Sequence, residues 1–304
     1  MMIRSRNNWI RQMILSAYVN IRTAYLSPKL WLAFALGFVI CFLLSNKVVL
    51  FSQQHDTVLQ MMEPFIWTFG DAKSILIISL CLLLLFSDVP RVTNDVPFFL
   101  IRTNRFLWLA GQMLYVMIVT FVYVLFIFLA TLILSGTRTY TANLWSMTAA
   151  ILGYSSIGEQ IAVPAFVKVL ELSFPYEVTI HIFGLMLGYS LMMSSLIVTL
   201  NLWRDNLGMI GGIIYSGLGF LLNPEVIQKL LRLPQTRIRI ANIIFGWISP
   251  LNQATYYMHN FGYDMLPKLW MSYVYFGTMS LLLFGVSFLK IRNYPFHFTG
   301  TMQG

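Results

Sequence analysis

Six long runs of apolar residues, separated by polar connections, organise this chain. They cover approximately residues 30–44, 74–86, 106–134, 178–202, 207–222 and 269–289, and none contains an acidic or basic side chain. A helix needs about 20 apolar residues to cross a bilayer core, and several runs approach or exceed that length. The pattern predicts an all-α integral membrane protein with six transmembrane helices. The second run is short alone; extended back towards Phe65 and Trp67 it reaches adequate length, with Lys73 snorkelling to the interface. A re-entrant second segment would leave an odd number of crossings.

Ahead of the first run, Ile10, Met13, Ile14, Ala17, Ile21, Ala24 and Tyr25 recur at helical spacing. Arg4, Arg11, Asn20 and Arg22 fall mostly off this stripe. An amphipathic helix lying in the membrane interface is expected over residues 1–27. Ser27 and Pro28 then read as an N-cap and first helical position that restart the chain as a span. Two further stretches, 135–176 and 223–268, are too long for simple connections. The second holds Ser249-Pro-Leu-Asn-Gln-Ala-Thr-Tyr-Tyr257 and is broken by Pro250 and Pro267, as suits an outer re-entrant or interfacial hairpin before the last helix. The expected organisation is one polytopic domain: interfacial helix 1–27, membrane body 28–290 and tail 291–304.

Composition agrees with the pattern. Apolar residues make up 58% of the 304 and charged residues 10%, too apolar for a soluble domain of this length. The first run lacks a small-x-small cleavage site and reads as a retained anchor. Cys41 and Cys81 fall at different depths of the first two spans, so packing rather than a disulfide is expected. The net charge of +9 raises the question of nucleic acid, but its distribution favours topology. With the N-terminus in the cytoplasm, the inner segments 1–29, 87–105, 203–206 and 290–304 hold 11 of the 20 Lys and Arg and 3 of the 11 acids. That bias follows the positive-inside rule, puts both termini in the cytoplasm and turns a basic face towards anionic lipid. No nucleic-acid partner is expected.

Familiar catalytic signatures are missing. The chain has no Gly-x-x-x-x-Gly-Lys-Ser/Thr phosphate loop, no clustered Cys/His metal spacing, no His-Glu-x-x-His and no Gly-x-Ser-x-Gly elbow. No enzyme activity, metal or cofactor is expected in this chain. His55, His181, His259 and His297 are scattered; His259 with Tyr256, Tyr257 and Asp264 is the one cluster that invites a catalytic reading, and interfacial packing ranks ahead of it. The want of carboxylates inside the spans weighs against a proton-coupled carrier, and no channel filter is visible. Small residues at Gly184 and Gly188, and at Gly208, Gly212 and Ser216, allow close helix packing, within one subunit or between two.

The inner loop 87–105 is the most pointed positive feature. Asn94 or Asp95 can cap a short helix with Pro97 in its first turn; Phe98, Phe99, Leu100 and Ile101 are too apolar for a free loop, and Arg102 and Arg105 follow. A headgroup-anchored helix and a helix that plugs into a cytoplasmic partner both fit.

As an ordered set, these features resemble the permease subunit of an ABC-2-type exporter. The resemblance rests on the interfacial helix, six spans, and an inner helical loop leading into Phe106-Leu-Trp-Leu-Ala-Gly-Gln-Met-Leu-Tyr115. It rests also on the short inner turn Trp203-Arg-Asp-Asn206 and the Ser-Pro-Leu-Asn-Gln-Ala-Thr-Tyr-Tyr stretch. It implies a coupling helix over 97–105, capped by Asp95, in which Pro97, Phe98, Phe99, Arg102 and Arg105 dock a separate ATPase that carries ATP and Mg. It further implies a multi-pass protein of a bacterial plasma membrane, paired with a second permease copy or a homologue. The cargo would be hydrophobic or amphiphilic, such as an antimicrobial peptide or lipid-like molecule, with Met186, Met192, Met193 and Met209 offering an adaptable lining. The segment 135–176 departs from the family by its length. A stand-alone secondary transporter is the alternative, and an intramembrane enzyme ranks behind it.

Overall fold

Where no water can satisfy the backbone, a chain must satisfy it locally, and an apolar run therefore coils into a helix. In the computed structural model the described residues are 3–91, 103–136, 138–155, 157–161, 163, 166–204, 207–232, 234, 238–262 and 265–294. Helix α1 (Ile3–Tyr25) leads into α2 (Pro28–Gln54), which begins at Pro28 behind an extended Ser27. Strand β1 (Leu59–Gln60), α3 (Glu63–Phe69) and α4 (Ala72–Phe86) follow, then the long α5 (Arg105–Leu134). The next segment folds as β2 (Thr139–Tyr140), α6 (Met147–Tyr154), α7 (Ile157–Gln160) and α8 (Val167–Leu172) before α9 (Pro175–Asn201). The remainder comprises α10 (Leu207–Leu221), α11 (Pro224–Leu230), α12 (Ile238–Ile248), α13 (Pro250–Ala254), a 3-10 turn (Tyr256–Met258) and α14 (Leu269–Ile291).

Four helices, α2, α5, α9 and α14, are long and apolar enough to cross a membrane. Two bent pairs, α3 with α4 at 85° and α10 with α11 at 87°, bring the number to six if each pair is one span. The exception to an all-helical architecture is small: β1 and β2 pair in parallel through Leu59 with Thr139 and Gln60 with Tyr140.

The expected backward extension of the second run does not form one straight helix. Phe65 and Trp67 belong to α3, every residue of which is buried. Gly70 separates the two helices: a Cβ there would collide with the Tyr257 hydroxyl, which donates to the Ile66 carbonyl at 2.8 Å. Asp71 is extended, so the chain turns before α4 starts.

The bundle is apolar outside and carries small polar groups inside. Leu43, Ile133, Ile180, Leu281 and Leu289 are each more than 60% exposed. Buried hydroxyls bridge helices instead: Thr120 meets Ser194 at 3.1 Å between α5 and α9, and Thr199 meets Ser287 at 2.9 Å between α9 and α14. So broad an apolar exterior belongs in lipid. The protein is membrane-embedded and helical. Cys41 and Cys81 are both buried free thiols.

Helix α1 packs on α5, and its expected polar side needs one correction. Ile10, Ile14 and Tyr25 of the predicted stripe point outward, as do Trp9 and Tyr18. Asn20 does not. It is buried, donates through Nδ2 to the Ser16 carbonyl at 2.8 Å, and accepts from Gln112 Nε2 of α5 at 3.0 Å. The physical reason is pairing: the Gln112 amide N–H satisfies the Asn20 carbonyl where neither can reach water, while Gln112 Oε1 has no hydrogen-bond partner among the described residues. Gly111 makes the approach feasible, since a Cβ there would collide with the Ser16 side chain. Gly111→Val should therefore destabilise the protein by about 1–3 kcal/mol through overpacking. Limited proteolysis in detergent should show α1 released first; a variant as resistant as the wild type would contradict this packing.

Candidate functional site

The end of the bundle at which α2 starts and α4 ends is assembled around one side chain. Asn201 closes α9, and its Nδ2 donates to the carbonyls of Val89 at 2.7 Å and Ser87 at 3.1 Å, just beyond α4. Its Oδ1 accepts from the Gly208 backbone N–H at the head of α10, at 2.8 Å. One buried amide thus fastens α4, α9 and α10 together. Gly208 is required there, because a Cβ would run into the Ile197 carbonyl. Lys29, at the head of α2, binds both Asp88 carboxylate oxygens at 2.5–2.6 Å and the Ser87 hydroxyl at 3.4 Å. That pair is about half exposed and contributes roughly 0–1 kcal/mol. The Arg91 guanidinium stands 5.6 Å from the Tyr115 ring centroid on α5.

This fastened segment leads into residues 92–102, which lie outside the described residues. Asp95, Pro97, Phe98, Phe99 and Arg102 are among them. On the far side Asn104 is extended and its side chain accepts from the Phe106 N–H at 3.4 Å. Arg105, expected in the short loop helix, instead opens α5 behind that cap. Its Nη1 donates to the Arg292 carbonyl at 3.5 Å, and Phe106 stacks with Phe288 of α14 at 6.5 Å. Both flanks of the loop are therefore tied to the bundle.

The other expected site residues are placed as follows. Met186, Met192 and Met193 are buried within the bundle, where Met192 Sδ accepts from the Tyr215 hydroxyl at 3.8 Å; Met209 is partly exposed on α10. Gly184 and Gly188 let α9 approach Tyr273 and Phe276 of α14, and Gly212 lets α10 approach Leu83 of α4. Ser216 is buried, with no hydrogen-bond partner for its hydroxyl among the described residues. These glycines make contacts within the chain.

The opposite end is a polar and aromatic layer that joins segment 135–176 to the rest. Glu63, at the start of α3, is fully buried; it accepts from the Ser146 backbone N–H at 2.8 Å, the Ser146 hydroxyl at 2.5 Å and the Gln60 N–H at 3.4 Å. No cation pairs with it among the described residues. Beside it Trp67 packs on Trp145 at 5.3 Å, and Trp145 Nε1 donates to the Ser173 carbonyl at 2.8 Å. Tyr256 and Ser173 share a hydrogen bond of 3.1 Å, and the His181 ring stacks on Tyr256 at 5.9 Å.

His259, from the one cluster with a catalytic look, lies in this layer and is 1% exposed. Its Nδ1 faces the carbonyls of Thr255 at 3.0 Å and Tyr256 at 3.2 Å, so that nitrogen carries the proton. Its Nε2 then accepts from the Ser272 hydroxyl at 2.8 Å. Both ring nitrogens are committed to holding the 3-10 turn against α14, and neither is presented to a substrate. Asp264 lies outside the described residues.

Asn201, Glu63 and the Asn20–Gln112 pair were missed by sequence reasoning. A signal existed for the amides: Gln112 and Asn201 interrupt otherwise apolar runs, and such residues in a membrane helix tend to bond across to a neighbour. Glu63 gave none, because it precedes the run and its partner lies 83 residues further on.

Comparison with known proteins adds no assignment: no family model, curated protein or solved structure matches the chain.

Burial lowers the His259 pKa from its ordinary 6.5; the carbonyl hydrogen bonds from Tyr256 and Thr255 oppose this, and the charges of Lys168 and His181 reinforce it. The folded chain resists a proton that the unfolded chain accepts, so stability is lost as pH falls below about 6.5. The thermal midpoint in detergent should drop between about pH 7 and pH 5.5, and His259→Gln should flatten the profile. Parallel profiles for wild type and variant would show that His259 does not contribute.

Proposed function

We propose that this chain is the permease subunit of an ATP-driven exporter of the ABC-2 type. It moves a hydrophobic or amphiphilic molecule across a plasma membrane, and a separate ATPase, which carries ATP and Mg, docks at the loop after α4. The observation that carries this reading is the fastening of that loop at both flanks. On one side Asn201 and Lys29 tie residues 87–89 to α9, α10 and α2; on the other Arg105 and Phe106 tie α5 to α14. A displacement of the loop would thus be delivered to five helices at once, as ATP-driven rearrangement requires. The helices themselves hold no Asp, Glu, Lys or Arg inside their apolar runs to harvest an ion gradient, and His181, near one end of the fourth, is the one histidine there. ATP drives the cycle by favouring one of two arrangements of the ATPase, with Asp95, Pro97, Phe98, Phe99, Arg102 and Arg105 as the docking element. A second copy or a homologue supplies the other half of the pathway.

Co-expression with the ATPase of the same operon tests the docking. The wild type should co-purify with it and transport, while Arg102→Glu combined with Arg105→Glu should lose both. If the double variant keeps association and transport, the docking assignment fails. Asn201→Ala should bind the ATPase normally yet transport roughly tenfold more slowly per ATP hydrolysed, equivalent to ~1.4 kcal/mol of lost coupling.

One observation favours a second reading, a stand-alone proton-coupled carrier: Glu63 is a buried carboxylate with no cation paired to it among the described residues. The two readings separate on Glu63→Gln in proteoliposomes containing a pH-sensitive dye. The exporter reading expects a stability loss of about 1–3 kcal/mol, because the amide mismatches the donors from Ser146 and Gln60, with no change in proton flux. Abolished proton flux in a folded variant would instead establish the carrier.

A further inference from the structure

Helix α10 exposes one apolar flank, at Ile210, Ile213, Ile214, Leu218 and Leu221, and the hairpin of α11 and α12 grows out of its end, away from the Lys29–Asp88 pair. The base of this hairpin is fastened. Asn223 caps α11 by accepting from the Val226 N–H at 2.9 Å. At the far end of α12, Trp247 Nε1 donates to the Met265 carbonyl at 3.1 Å, and Gln253 Nε2 donates to the Trp247 carbonyl at 2.7 Å. Leu266 fills the space that a Gly246 side chain would take. The tip has no such cover. Leu230 is 77% exposed there, and Leu231, Ile238 and Ile240 are each more than 40% exposed.

Cations are interleaved with these apolar side chains. Lys229 and Arg232 flank Leu230 and Leu231, and Arg239 stands between Ile238 and Ile240. All three are exposed, and none of their side chains makes an ion pair, hydrogen bond or ring contact among the described residues. Glu225 is the one acid of the two helices. It opens α11, where a negative charge suits the helix dipole, and it forms no ion pair with Lys229 one turn on. Arg237 and Asp264 lie outside the described residues. Arg232 has a φ of 51°, so an arginine stands where the backbone alone would favour glycine.

Exposed leucine and isoleucine call for hydrocarbon, and unpaired cations beside them call for negative charge. The headgroup layer of acidic lipid supplies both, and a basic amphipathic element gains there from apolar burial and from attraction together. We propose that the α11–α12 hairpin is a docking surface for anionic phospholipid. Leu230, Leu231, Ile238 and Ile240 enter the upper acyl chains, and Lys229, Arg232 and Arg239 meet the phosphates. A soluble acidic partner fits less well, because the hairpin continues the apolar flank of α10, which faces lipid up to the bend. Two copies meeting tip to tip would set like charges against each other. The surface stands whether or not the ATPase reading holds, since holding a lipid needs no energy source.

The full-length chain carrying Leu230→Cys, labelled with bimane and reconstituted in liposomes, tests this through quenching by brominated phosphatidylglycerol or brominated phosphatidylcholine of identical chains. Cys41 and Cys81 are buried and should stay unlabelled. The probe should favour phosphatidylglycerol by about fivefold or more, the effect of a single cation at a charged membrane surface. Lys229→Gln with Arg232→Gln and Arg239→Gln should bring the two lipids level, whereas Glu225→Gln should keep the preference. Ile240→Cys, labelled in the same way, replaces the probe if Leu230→Cys does not fold. Equal quenching by the two lipids with all three cations present, or a preference that survives the triple variant, would overturn the proposal. So would a probe that iodide reaches from the water and neither lipid reaches, because the tip would then face a soluble partner. Lipid quenching that disappears as the protein-to-lipid ratio rises would also overturn it, because a second copy would then cover the tip.

Discussion

A polar group buried in hydrocarbon cannot fall back on water, and the arrangement of this bundle follows from that constraint. Each net hydrogen bond is worth only about 1 kcal/mol, but a buried group left unpaired costs roughly 1–3 kcal/mol. Side chains such as Asn201, Gln112 and Glu63 therefore act mainly by excluding alternatives. Asn201 has two donors and an acceptor, and it satisfies them only where the end of α4, the end of α9 and the start of α10 converge. Gln112 and Asn20 settle how α1 lies on α5 in the same way. Apolar packing brings the helices together, and these few amides and hydroxyls choose the register.

The two ends of the bundle use the constraint differently. At the basic end, few side chains join many helices, so a movement of one segment is shared by its neighbours. The opposite end is broad and aromatic: Trp67, Trp145, Tyr256 and His181 interlock across α3, the 135–176 segment, α9 and the 3-10 turn. Glu63 ties this layer further by receiving two donors from the distant Ser146 and one from the neighbouring Gln60.

Glycine has opposite consequences on two neighbouring helices. On α9 it draws α14 close, because aromatic rings occupy the space its side chains would have taken. On α14 the same residue faces open space and widens a slot between helices. The same residue thus makes a contact in one place and a cavity in the other, depending on what stands opposite.

Hydrophobic patterning by itself determined that the chain lives in lipid, that long helices lie near residues 106–134, 178–202 and 269–289, and that Pro28 starts another, whose end it put at residue 44 where the helix runs on to Gln54. These properties are local, fixed by backbone hydrogen bonding and by the chemistry of consecutive residues. Partnership was not legible. Glu63 depends on Ser146, Asn20 on Gln112, and Asn201 on residues more than a hundred positions earlier, and no local pattern encodes such pairings. The bend at Gly70 likewise depends on Tyr257, far along the chain. Of the methionines read as a lining, Met186, Met192 and Met193 are buried and Met209 is exposed, because burial depends on what a neighbouring helix presents and not on residue type. The sequence dictated which groups must avoid water. Only the tertiary structure decided which of them meet, since in hydrocarbon each must find its partner across helices that the chain order keeps apart.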